Sequence, residues 1–174
     1  MGMLRVILGT VTFVVPVTAA FCDVVGYVAK VEGSSMQPVL NPDGKACTDW
    51  VFLSRWAARS FEFKRGEVVS FKSPSNPKQK LIKRIIALEG DTVRTRSYRR
   101  SVLNVPTGHC WVEGDHHEYS MDSNFFGPVA LGIISAKASH IVWPPRRWQK
   151  LDVIETCDRL YKHEFVDTTE IDSL

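Results

Sequence analysis

The sequence has no C-x-x-C pair and no ladder of closely spaced cysteines. Cys22, Cys47, Cys110 and Cys157 lie scattered, which argues against a zinc ribbon or a disulfide-stapled mini-fold; an isolated pairing in an oxidising compartment stays open. Charge of one sign is also scarce. A net charge of +3 is too small to argue for a nucleic-acid partner. H-E-x-x-H is missing, and the adjacent His116 and His117 point to opposite faces of an extended chain, so no metal site is expected. There is no internal repeat. No long stretch shows the 3.6-residue period of an amphipathic helix, Leu131–Ser139 being the one candidate. What remains is ordinary folded-protein composition, 44% hydrophobic and 24% charged, in 174 residues: one domain with room for an appendage.

The appendage is N-terminal. Val6 to Cys22 carries no charge, and the apolar run continues to Ala29. At 1.5 Å per residue the uncharged part spans ~25 Å, slightly short of a ~30 Å hydrocarbon core. Pro16 would kink a helix there, which a membrane span tolerates better than an exposed helix does. The preferred reading is a membrane anchor over residues 1–29. A removed signal peptide, with small residues in "TAAFC", and a buried first element are the alternatives. Arg5 and Lys30 give no charge asymmetry from which to orient the run.

Beyond Lys30 short apolar runs alternate with turn residues. Strands are expected at Asp49–Ala57, Gly66–Lys72, Lys80–Leu88, Asp91–Arg96, Ser101–Val105, His109–Gly114 and His140–Trp143, being β-branched or aromatic and bounded by Gly, Pro, Asn or Asp. Pro74 and Pro77 make residues 72–79 a loop. The expectation is a mostly β domain over 30–150, followed by a tail, 151–174, with seven acids against two strong bases. Arg94–Arg100 reads as a basic, solvated hairpin tip, and Trp111, Trp143 and Trp148 as core or interfacial anchors.

In the strand around Lys83, Leu81, Lys83, Ile85 and Ala87 share one face, and Ile82, Arg84, Ile86 and Leu88 the other. Both faces are otherwise apolar, as in a strand buried on both sides. Burial disfavours an ammonium and can lower a lysine's pKa by up to ~3–5 units, so Lys83 is a candidate general base. Arg84 keeps its proton and needs a carboxylate or carbonyl partner. The competing account is a Lys-Arg pair whose stems lie on apolar neighbours while the charges reach water. "VEGSSMQP", with Ser34 and Ser35 after Gly33, reads by itself as an ordinary turn.

Taken together, "GSSMQPVLNP", "KLIKRIIALEGD" and "GDHHEYSMDSNFFGPV", in this order after a hydrophobic run, resemble the type I signal peptidase family, membrane-anchored serine proteases with a Ser-Lys dyad. "WVEGDHH" and "WPPRRWQKL" are similar to the family's mitochondrial inner-membrane branch, and the likeness covers about Val31 to Leu151. The resemblance implies a signal-peptidase-like antiparallel β domain with an N-terminal transmembrane helix. It implies Ser35 as nucleophile, with its backbone N–H in the oxyanion hole, and Lys83 as general base. Ser120 would orient the lysine and Asp122 would pair with Arg84, on a loop bounded by Gly114, Asp115 and Gly127. Implied too are a partner protease subunit, presequence-bearing protein substrates, membrane lipid around the anchor, no cofactor, and a catalytic domain facing the intermembrane space. Three positions depart from the family: Gly33 where many bacterial relatives carry a hydroxyl that binds the oxyanion, Asn124 where an arginine is usual, and Val39 for a threonine. The rival readings are a bacterial-type signal peptidase and a catalytically silent, anchored β module.

Overall fold

The computed structural model describes residues 2–44, 48–154 and 159–160. Its first element is a helix, α1 (Gly2–Val24). Among the described residues no helix is long and apolar enough to cross a membrane. Pro16 lies inside α1, and Gly9, Thr10, Thr12 and Thr18 dilute its apolar run. The chain from Gly26, assigned from sequence to the anchor, is instead the first strand, β1 (Gly26–Lys30). Gly26 fits there because a Cβ would meet the Leu53 carbonyl oxygen at 2.3 Å.

The domain is a mostly antiparallel β structure. Its strands are β1, β2 (Trp50–Ser54), β3 (Val68–Lys72), β4 (Lys80–Ala87), β5 (Thr92–Arg94), β6 (Val102–Asn104), β7 (His109–Glu113), β8 (Val129–Ala130), β9 (Ile134–Trp143) and β10 (Gln149–Lys150). Eight form one sheet in the order β1-β2-β9-β3-β4-β7-β8, with β10 on β9; β5 and β6 pair separately. Two one-turn helices, α2 (Trp56–Arg59) and α3 (Ser123–Phe126), connect them. Each strand expected from sequence is present, but His140–Trp143 is only the end of β9 and the end of Asp49–Ala57 lies in α2. Leu131–Ser139 is not helical: residues 131–133 make a 3-10 turn and the rest is β9, whose Ile134, Ala136 and Ala138 are buried with period two. β9 pairs antiparallel with β2 on one edge and β3 on the other.

Three apolar clusters hold the sheet. Val31, Met36, Leu40, Val51, Leu53 and Ile141 pack the loop after β1 onto β2 and β9. Val69, Phe71, Ile85 and Val112 fill the centre, and Trp111 with Val93 and Val105 seats the β5–β6 hairpin. Trp111 is fully buried, whereas Trp143 and Trp148 are exposed. Cys110 is a buried free thiol, its pKa pushed up to about 12 by loss of hydration; Cys47 and Cys157 lie outside the described residues. So does most of the expected tail, residues 155–158 and 161–174.

β4 carries both Lys83 and Arg84. It lies between β3 and β7, with Val69 opposite Lys83 and Glu113 opposite Arg84. Lys83 to Ala87 are all buried, as the two apolar faces required.

Candidate active site

A turn-rich loop, Val31 to Leu40, leaves β1 and carries Ser35 to β4. Gly33 sits at φ +92°, a conformation glycine adopts freely and other residues resist, so the loop can reverse at that point. This accounts for the missing hydroxyl: a serine at position 33 would be strained in this backbone. Asn41 secures the loop. Its Nδ2 donates to the carbonyls of Val31 (2.9 Å) and Gly33 (3.2 Å), and its Oδ1 accepts from the Asp49 N–H at 2.8 Å. Asp49, fully buried, accepts from the Asn41 N–H and forms a two-pronged pair with Arg147 at 2.8 and 3.0 Å. Arg147 also donates to the Val39 carbonyl at 2.9 Å. Nothing in local sequence pattern marks these three residues, because the contacts span 8 and 98 positions; the hints were the family-like segments "GSSMQPVLNP", which holds Asn41, and "WPPRRWQKL", which holds Arg147.

The loop delivers Ser35 Oγ to 2.5 Å from Lys83 Nζ. Lys83 is 2% exposed, and burial lowers its pKa from 10.5 to about 8, against the opposing pull of Asp122 and Asp115. Desolvation therefore wins over two carboxylates, and the amine gives up its proton not far above neutral pH. The snorkelling account of the Lys-Arg pair fails for both residues, since Arg84 is also 2% exposed.

Arg84 finds its carboxylate, but not the one expected. Asp115 receives Nε and Nη2 at 2.8 and 2.7 Å, and the Gly66 and Asp152 carbonyls receive Nη1. Asp122 instead caps α3 and accepts from the backbone N–H of Gly114 at 3.1 Å and of Asn124 at 3.0 Å. Chain direction explains the exchange: Asp115 follows β7 directly, and β7 pairs with β4 across Arg84. Ser120 is half-buried near Gly114, its Oγ is shielded from solvent without a hydrogen-bond partner, and the expected bond to Lys83 is not formed. Asn124 bridges Glu113 and Asp122, and the cations facing Glu113 are Arg159 at 2.8 Å and Arg96 at 3.7 Å.

Gly114 locks the two halves together. A Cβ there would lie 2.3 Å from the Ser35 carbonyl oxygen and 2.4 Å from Ser120 Oγ. Beside it the His116 N–H donates to the same Ser35 carbonyl at 3.1 Å. His116 otherwise packs its ring on Tyr119, and His117 Nε2 lies 2.9 Å from Arg96. Among the described residues no group of three His, Cys, Asp or Glu side chains is placed to hold a metal.

The pair opens onto a cleft of about 610 Å³ with an apolar floor, Val51, Leu53 and Ile82 among its lining, between the free edge of β1 and the start of β4. An extended peptide can lie there by pairing with that edge. A hydroxyl, a dry amine and a strand-sized cleft are the parts of a Ser-Lys hydrolase.

The family model described as signal peptidase, peptidase S26, matches residues 3–103 and 94–143. The chain belongs to the signal peptidase S26 family. Within the family this peptidase chain is 58% identical over 140 residues to mitochondrial inner membrane protease subunit 2 of Mus musculus, covering 80% of each chain. It is 57% identical over 146 residues to the subunit 2 of Homo sapiens, covering 84% of this chain and 83% of the relative. Subunit 1 of Mus musculus is 37% identical over 125 residues, 70% of this chain and 72% of the relative. A crystal structure of a signal peptidase I from Enterococcus faecalis is similar over 44% of this chain and 96% of that one, at 25% identity and a TM-score of 0.39.

Proposed function

We propose that this chain is a serine endopeptidase that removes sorting presequences from proteins delivered to the mitochondrial intermembrane space. The observation that carries the reading is the 2.5 Å contact between Ser35 Oγ and a Lys83 amine whose pKa burial brings to about 8. Neutral Lys83 takes the Ser35 proton as Oγ attacks the scissile carbonyl. The ammonium returns that proton to the leaving amine, and water, activated by the same amine, hydrolyses the acyl-enzyme. The backbone N–H of Ser35 donates to the oxyanion. Asp122 and Arg84 act as supports, the first by holding Gly114 and the second by holding Asp115.

The names of the relatives support the compartment and a partner subunit resembling subunit 1. In the proposed arrangement α1 tethers the domain to the membrane. Its Val11, Phe13 and Val15 are exposed, which suits an apolar surrounding better than water. A tether keeps enzyme and substrate in one plane and raises their effective concentration.

The full chain, purified with its partner subunit, should cleave a presequence-bearing protein, and Ser35→Ala should lower kcat by roughly 10⁴-fold or more. Full activity in that variant, with loss on mutating the partner's nucleophile instead, would make this chain a structural module.

A further inference from the structure

The cleft does not end at β1. Tyr27 and Lys80 line its far end, and Lys80 also lines a second groove, of about 520 Å³, shared with Arg55, Arg59, Lys72 and Phe61. Among the described residues the lining of this groove holds four cations and no carboxylate. The cations converge rather than spread. Arg55 and Lys80 each stand 5.1 Å from the centre of the Tyr27 ring, and Lys80 Nζ donates to the Tyr27 hydroxyl at 3.3 Å. Lys72 and Lys80 are direct partners in the β3–β4 register, a placement of like charges that disfavours folding unless something else gains from it. Among the described residues Asp23 is the acid that reaches this cluster, on Arg55 at 2.5 Å, with its backbone carbonyl receiving Arg59 at 3.0 Å. An excess of positive charge is left at the cleft's exit.

Distance ties the groove to the chemistry. At ~3.3 Å per residue, Lys80 stands roughly 10 Å along β4 from Lys83, the reach of about three residues of an extended peptide. With the length of the lysine side chain, that places the cations roughly three to five positions from a bond held at Ser35. We propose that this groove reads the substrate: it selects peptides with an aspartate or glutamate three to five residues from the scissile bond. Continuity with the cleft through Tyr27 and Lys80 favours a peptide carboxylate over a membrane phosphate. The inference rests on the proteolytic reading above for its meaning, but it can be read separately.

The test uses the full-length protein with its partner subunit and a set of peptides in which a single glutamate, glutamine or lysine walks along both flanks of the cleavage site. The expected result is a preference for glutamate over lysine at three to five positions on one flank, roughly fivefold per cation engaged. It should appear mainly in KM and shrink as salt rises. Lys80→Glu and Arg59→Glu should each weaken the preference severalfold, and Lys80→Arg should keep it. A preference that is absent, or unchanged by charge reversal, overturns the proposal. So does a groove whose charge reversal alters binding to anionic phospholipid vesicles and leaves peptide choice untouched. Should no peptide be cut, the proteolytic reading fails by itself; anisotropy of the same labelled peptides on Ser35→Ala protein still reports the groove, and equal affinity for the glutamate and lysine forms would overturn it.

Discussion

Replacing Lys83 with methionine is expected to abolish cleavage and to make the fold more stable. Methionine keeps most of the side chain's volume and none of its proton chemistry, so the 2% exposed site stays filled while Ser35 loses its base. Activity should drop by roughly 10⁴-fold or more, as when one member of a cooperating catalytic group is removed. The gain in stability follows from the amine's depressed pKa. In the unfolded chain Lys83 holds its proton up to 10.5; in the folded one it holds it only up to about 8. Below pH 8 the native state must therefore keep an ammonium where water is scarce, at a cost of up to about 3 kcal/mol. Between pH 8 and 10.5 the native amine is neutral while the unfolded one is still charged, so this contribution to stability improves as pH rises. The methionine variant lacks the penalty. Its advantage over wild type in urea unfolding should be largest at pH 7 and shrink toward zero near pH 10.5. An advantage that does not change with pH would mean that the amine is not desolvated in the fold.

The second large effect concerns a residue that does no chemistry. Gly114→Ala would put a methyl 2.3 Å from the Ser35 carbonyl oxygen and 2.4 Å from Ser120 Oγ. The carbonyl cannot yield easily, being backbone and also held by the His116 N–H, and rotating the Ser120 hydroxyl away leaves its Cβ at 2.8 Å. The nucleophile loop must shift by about 1 Å, and a misplacement of that size is expected to cost ~10²-fold in kcat. Overpacking adds a loss of roughly 1–3 kcal/mol in stability. KM should change as well, because Gly33, Ser34 and Ser35 of the shifted loop also line the cleft. Gly132→Ala is the matched control, since nothing lies within 4 Å of a Cβ at that position. Equal kcat for the two variants would show that the contact between Gly114 and the loop does not set the geometry of the serine.

Sequence made the strands legible because their apolar period and bounding turns are local signals; β4, buried on both faces, is the plainest case. It also carried the pairing of Ser35 with Lys83, though only through several family-like segments in order, since the serine segment by itself reads as a turn and the lysine strand by itself leaves a surface Lys-Arg pair open. It missed what depends on distance through space. The exchange of Asp122 for Asp115 as the partner of Arg84 turns on the β4–β7 register, which side-chain alternation does not reveal. The Asn41–Asp49–Arg147 cluster joins the loop after β1 to the turn after β9, and it has no periodic signature. Leu131–Ser139 misled because alanine and isoleucine fit either period over nine residues; pairing with β2 and β3 decided it. The anchor boundary failed for a related reason. Residues 24–29 are as apolar as the run before them, and only the register of Tyr27 against Leu53 shows that they belong to the sheet.

The dependence of kcat/KM on pH for a presequence peptide tests the dyad most directly. Loss of one proton near pH 8 should produce an ascending limb with that midpoint, carried by Lys83 and missing from any residual activity of Lys83→Arg, whose guanidinium stays charged. A flat profile through that range, or an arginine variant that retains both limb and rate, would contradict a neutral Lys83 acting as the base for Ser35.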